Sequence, residues 1–213
     1  MDFIDSEIEK YALSHSSKES ELLYDLNRQT HINVLQPRML SGHLQGRFLS
    51  MISKALSPDA ILEIGTYTGY SALCLAEGLS DVGLLTTIDK NPELEIFAKG
   101  YINKSSFNSK IKMLIGDAIN LIPTLESSWD LVFIDADKEN YSNYFDLVID
   151  NVRPGGWIIA DNVLWSGKVL EDTKPNDLET ESLKSFNAKV HEDNRVTNLL
   201  LPIRDGLMIL IKN

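Results

Sequence analysis

From Asp59 onward the chain repeats one pattern: a short, nearly continuous apolar run, then a segment of helix length. The runs are Ala60–Ile64, Leu84–Ile88, Ile111–Ile115, Leu131–Ile134, Trp157–Ala160, Leu199–Ile203 and Leu207–Ile211. Between most of them lie Ser71–Leu79, Pro92–Asn103, Tyr141–Asn151 and Glu179–Asp193. Apolar strands alternating with helices predict an α/β fold, a mostly parallel sheet covered by helices on both faces. The last two runs are separated only by Arg204-Asp205-Gly206. That link is too short for a parallel crossover, so it predicts a hairpin and one reversed strand.

The first 58 residues read instead as a helical cap on the 59–213 core, the whole 1–213 forming a single domain. Ile4, Ile8, Tyr11 and Ala12 recur at helical spacing, as do Leu22, Leu23 and Leu26. A polar break is expected near Arg28–Asn33, a new start at Pro37, and a helix over Gly46–Leu56 that Pro58 ends. Asp161–Asp177 reads as a long polar loop of the kind that serves as a lid.

Composition excludes several classes. No apolar run approaches the roughly 20 residues of a membrane span. The acidic opening, Met1 to Glu7, lacks the pattern of a signal peptide. The single cysteine, Cys74, excludes an intrachain disulfide and a multi-cysteine zinc site, and these features together favour the cytoplasm. The net charge of −11 disfavours general nucleic-acid binding, although Arg38, Arg47, Lys54 and Lys168 could form a local basic patch.

Four constellations fall at the ends of strand runs. Glu63-Ile64-Gly65-Thr66-Tyr67-Thr68-Gly69-Tyr70-Ser71 closes the first run and opens a helix. Glycine there permits a sharp turn and close backbone approach to a ligand, and free N–H groups at a helix start favour an anion. A plain strand–helix turn reads equally well. Tyr67 stands where the dinucleotide fingerprint needs its second glycine, so a nicotinamide site is not indicated. Asp89 closes the second run, where an acid in a doubly wound fold can accept both ribose hydroxyls; capping the next helix is the alternative. Asp117 and Ala118 follow the third run, as an adenine contact or, more often for such a pair, a helix cap.

Asp135-Ala136-Asp137-Lys138 closes the fourth run, and Asp161-Asn162 the fifth. Asp135, Asp161 and Asn162 offer hard oxygen donors, suited to Mg²⁺, Mn²⁺ or Ca²⁺ rather than zinc. Successive residues of a strand point to opposite faces, so Asp161 and Asn162 can share an ion only where the backbone curls. Solvated loop carboxylates are the alternative. His15, His31, His43 and His191 lack ligand spacing and read as packing or surface residues. Cys74, Trp129 and Trp157 read as packing, and Trp165 as either a wall for a flat substrate or a cap on the core.

Taken together, LEIGTYTGYSALCLA, TTIDKNP, GDA, FIDADKENY, GGWIIADNVLW and LLPIRDGL resemble the cation-dependent O-methyltransferases, the family of catechol and caffeoyl-CoA O-methyltransferases. The resemblance runs from about Gln36 to Lys212. It implies a Rossmann-like class I fold that binds S-adenosyl-L-methionine (SAM). Such a fold has seven strands, the last but one in space reversed. It further implies that Glu63 and Gly65 border the methionine end of SAM with Ser71 near its carboxylate, that Thr66 and Tyr67 also bind the cofactor, that Asp89 holds the ribose, and that Asp117 and Ala118 meet the adenine. Met39 and Ser41 would lie in a segment closing over the cofactor, with Asp135 also beside it. Asp135, Asp161 and Asn162 would hold the divalent metal, and Lys138 would be the base. The implied acceptor is a small vicinal dihydroxy aromatic, with Glu171 and Asp172 as candidates to grip its second hydroxyl. Some relatives methylate hydroxylated uridine in tRNA, an alternative acceptor, and a SAM-binding module without turnover is a further alternative. Relatives are usually homodimers.

Overall fold

A computed structural model describes residues 5–213. Ile4, which opens the expected N-terminal periodicity, lies outside them. The described chain forms two compact units, Ser6–Asp117 and Ala118–Asn213.

The first unit opens with α1 (Ser6–Ser14), α2 (Glu21–Asn33) and α3 (Gly42–Leu56). The Ser20 hydroxyl accepts the Leu23 N–H and so caps α2. The expected polar break at Arg28–Asn33 does not occur, and α2 runs through it. Thr30 is buried and donates to Thr68, while Arg28 and Asn33 face solvent. The polar stretch is one solvent side of an amphipathic helix plus a satisfied threonine. Helix α3 begins at Gly42, earlier than expected, and left-handed Ser57 ends it before Pro58.

Then come β1 (Ala60–Ile64), α4 (Tyr70–Ala76), β2 (Leu84–Asp89), α5 (Glu95–Lys104) and β3 (Ile111–Ile115). β1 pairs with β2, and β2 with β3, both in parallel. Two glycines let α3 approach α4. A Cβ on Gly46 would lie 2.7 Å from the Tyr70 ring, and one on Gly78 would lie 2.2 Å from the Lys54 backbone nitrogen. Glu77 then locks the pair. Its carboxylate accepts from Arg47 at 2.9 and 2.7 Å, from Ser50 at 2.7 Å and from Lys54 at 3.0 Å. Burial opposes ionisation of Glu77, but these donors outweigh it and bring its pKa down to about 2. Cys74 is buried in the same core.

The second unit holds α6 (Ala118–Leu121), β4 (Trp129–Ile134), α7 (Tyr141–Ile149), β5 (Val152–Asp161), α8 (Leu178–Glu192), β6 (Val196–Leu201) and β7 (Leu207–Lys212). β4 and β5 are parallel, and β7 runs antiparallel to both β5 and β6, as the three-residue link predicts. Strand β5 starts five residues before its apolar run, through Pro154 and Gly155. The loop after it is not wholly irregular, because Trp165–Leu170 forms two short turns that meet at a kink of left-handed Ser166 and Gly167. The seven strands form a sheet ordered β3-β2-β1-β4-β5-β7-β6. Among the described residues no helix is long and apolar enough to cross a membrane.

Candidate active site

In the first unit the candidate residues gather at the carboxyl ends of β1, β2 and β3. The turn after β1 alternates left-handed residues: Gly65 (φ 103°), Tyr67 (φ 50°) and Gly69 (φ 88°). Glu63 is buried, and the parallel register sets it beside Thr87 on β2. The Thr87 hydroxyl donates to Glu63 Oε2 at 2.5 Å and shares a 2.5 Å hydrogen bond with Thr66. Neither the Thr87 contact nor its role was read from the sequence; the signal was a threonine inside an apolar strand, one register step from a buried acid. Ser71 lies in the first turn of α4.

Asp89 braces this turn. Its Oδ2 accepts the Tyr67 N–H at 2.6 Å and its Oδ1 accepts the Asn91 N–H at 2.8 Å. Asn91, not Asp89, caps the 3-10 turn at Pro92, by accepting the Glu93 N–H. The Tyr67 hydroxyl donates to the Gln36 carbonyl at 2.9 Å, which ties down the segment carrying Met39 and Ser41. Ser41 is buried and Met39 is 58% exposed. At the end of β3, the Gly116 N–H bonds the Asp89 carbonyl, Asp117 is exposed, and Ala118 opens α6.

In the second unit the ends of β4 and β5 converge on one ammonium. Lys138, only 6% exposed, donates to Asp135 Oδ1 at 3.0 Å, Asn162 Oδ1 at 2.9 Å and the Tyr141 hydroxyl at 2.7 Å. Tyr141 in turn donates to the Asp161 carbonyl at 2.9 Å. The curl needed after β5 is present: Asn162 is left-handed (φ 60°), and its N–H donates to Asp161 Oδ1 at 2.7 Å. Burial works against the Lys138 charge, yet Tyr141, Asp135 and Asp161 outweigh it, so its pKa is raised and it is held as ammonium. Asp137, adjacent in sequence, is engaged by Tyr144 at 2.6 Å and by Asn140.

Trp165 lies 5.8 Å, ring centroid to Nζ, from Lys138 and 5.5 Å from Lys168. Its indole N–H is buried without a hydrogen-bond partner among the described residues. Glu171 and Asp172 are exposed, and Lys184 holds the Glu171 carbonyl. Asp205, in the β6–β7 turn, lies within the field of Lys138; burial raises its pKa, and the Ser166 N–H and the Lys138 charge oppose that rise. Sequence reasoning assigned neither Tyr141 nor Asp205 a role, although Tyr141 stands three residues after Lys138.

The donor chemistry fits a hard divalent cation. Asp135 and Asn162 already turn oxygens toward one positive charge, and Asp161 lies beside them. Among the described residues no three His, Cys, Asp or Glu side chains form a metal cluster; this set is two aspartates and an asparagine. The residues of the suggested basic patch are largely committed. Arg47 and Lys54 bind Glu77, and Lys168 lies 3.6 Å from Asp177.

A family model described as O-methyltransferase matches residues 13–213. A caffeoyl-CoA O-methyltransferase of Stellaria longipes is 32% identical, covering 94% of this chain and 88% of that protein. A probable caffeoyl-CoA O-methyltransferase 2 of Dictyostelium discoideum is 31% identical, covering 95% and 90%. The O-methyltransferase of Bacillus cereus, solved in complex with SAH, superposes with a TM-score of 0.90 at 27% identity, covering 97% of both chains. The seven-stranded sheet with its reversed strand is the fold those neighbours share, and the chain belongs to this family of SAM-dependent O-methyltransferases.

Proposed function

We propose that the protein moves the methyl group of SAM to a hydroxyl of a small catechol-like acceptor, with a divalent metal held by Asp135, Asp161 and Asn162. The observation that carries this reading is the convergence of Asp135 and Asn162 oxygens on the Lys138 ammonium, with Asp161 adjoining. A cation bound there, Mg²⁺ by preference with Mn²⁺ or Ca²⁺ as alternatives, would lower the pKa of a coordinated phenol.

The chain's own residues supply the rest. Glu63, Gly65, Thr66, Tyr67, Ser71, Asp89, Asp117 and Ala118, with Met39 and Ser41 and with Asp135, are assigned to SAM. Asp89 keeps acceptor capacity beyond its two backbone bonds, since a carboxylate offers about four lone-pair sites. Lys138 is assigned the acceptor's proton. An ammonium has no lone pair, so Lys138 would take that proton only after releasing one of its own, and its bonds to Asp135 and Asn162 hold it in the charged form until they yield. Trp165 offers a flat face and an unsatisfied N–H to an aromatic acceptor. Catalysis then rests on positioning and electrostatics. The chain acts as a homodimer in this reading, and no observation favours tRNA over a small acceptor.

The test is SAH release with SAM, Mg²⁺ and a panel of catechols including caffeoyl-CoA, with and without EDTA. Turnover that EDTA abolishes and that Asp161→Ala lacks is expected. Turnover indifferent to EDTA would remove the metal from the reading. SAM binding without turnover on any vicinal diol would remove the acceptor class.

A further inference from the structure

We propose that the tight turn between β6 and β7 is the device that shapes the loop leaving β5, and that Asp205 is its positioning residue. This rests on the assignment of the acceptor to the Lys138 cluster.

The loop needs such a device. Asn162 (φ 60°), Trp165 (φ 48°), Ser166 (φ 54°) and Gly167 (φ 84°) are all left-handed, and three of them are not glycine. Backbone of that kind persists only where the surroundings over-determine it. The turn provides the constraint. The Val163 N–H donates to the Gly206 carbonyl at 3.2 Å, and the Leu164 N–H to the Asp205 carbonyl at 2.9 Å. The Ser166 N–H donates to Asp205 Oδ1, the side-chain member of the set. From α8, Asn187 donates to the Val163 carbonyl at 2.9 Å. Gly206 (φ 87°) presses closely on the loop: a Cβ there would lie 2.5 Å from Leu164 Cγ.

What the loop carries gives the clamp its consequence. Asn162 supplies one oxygen to the Lys138 cluster, and Trp165 stands over the same ammonium. A turn some forty residues downstream therefore sets a candidate metal ligand and the aromatic wall together. The Ser166 N–H needs an acceptor oxygen, not a charge, so an amide at position 205 serves as well as a carboxylate.

The experiment compares Asp205→Ala, Asp205→Asn and Gly206→Ala with the wild type. Acrylamide quenching of Trp165, taken as the difference from the Trp165→Phe form of each protein, reads loop order in metal-free protein without turnover. Acceptor kinetics and SAM binding follow. Asp205→Ala and Gly206→Ala are expected to unmask Trp165. Both should lower kcat/KM for the acceptor by about 100-fold, the cost of an ångström-scale misplacement. SAM affinity should not change, and Asp205→Asn should behave as wild type. Equal losses in Asp205→Asn and Asp205→Ala would overturn the clamp in favour of direct contact between the charge and the acceptor or metal. Unchanged quenching in Asp205→Ala would also overturn it. If the variants do not fold, amide hydrogen exchange on the wild type decides: fast exchange at Ser166 refutes the clamp, and protection supports it. If the wild type methylates no catechol while Trp165 is still unmasked in Asp205→Ala, the acceptor reading falls and the clamp stands.

Discussion

Replacing Glu77 by glutamine tests the lock between α3 and α4. The side chain keeps its size and loses its charge. In the wild type its carboxylate is 16% exposed and faces Arg47, 12% exposed, with Ser50 and Lys54. Holding it at about 2 rather than 4.5 corresponds to roughly 3 kcal/mol. Lys54 is half exposed and solvent screens its share, so about 2 kcal/mol is expected. The pKa is depressed in the folded protein, so this stabilisation is full above pH 4.5 and is lost as pH falls toward 2. Urea unfolding of wild type and Glu77→Gln at pH 7, 5, 4 and 3 measures it. The gap between the two proteins should be near its full value at pH 7 and 5, and roughly half of it should be gone by pH 3. Taking the difference cancels every other titrating carboxylate that the two share. A gap below about 0.5 kcal/mol at pH 7, the level of an ordinary surface substitution, would refute the reasoning. So would a gap that does not narrow with acid.

Gly78→Ala should destabilise by about 1–3 kcal/mol or more, because its methyl would meet α3 backbone that cannot rotate away; thermal melting checks it. Asp89→Ala should strip two backbone N–H groups of their acceptor, lower the melting temperature and weaken SAM binding in calorimetry, while Asp89→Asn should lose less of both. Tyr141→Phe should cost about 1–3 kcal/mol by leaving a buried ammonium with one acceptor fewer. It should also slow turnover with SAM affinity intact, which single-turnover kinetics would show.

Much of this was legible because two signals were local. The runs at Ala60–Ile64 and Ile111–Ile115 match their strands end to end: the first is buried along four of its five residues, and the second, at the sheet edge, keeps four apolar residues around exposed Lys112. Asp135, Asp161 and Asn162 stood out because each is polar where such a run stops. What was not legible depends on partners distant in sequence. The start of β5 was hidden by Pro154 and Gly155, which discourage a strand reading although pairing with β4 begins at Val152. Helix α6 has four residues, too few to show a period. Thr30 looked like part of a polar break because nothing local announces Thr68 as its partner. Asp205 could be seen only as a turn residue, since its Ser166 contact spans 39 positions.

The reversed strand also governs the order in which the sheet can be completed during synthesis. β6 leaves the ribosome before β7, yet in the sheet its neighbour is β7. β5, with Trp157-Ile158-Ile159-Ala160 along it, also waits for β7 to cover one edge. Until Leu207–Lys212 is made, an apolar edge lies open to pairing with other chains. β7 is thus the strand on which two others depend: a chain cut before Leu207 would leave β6 without its neighbour and one edge of β5 bare, and would be prone to pair with other chains.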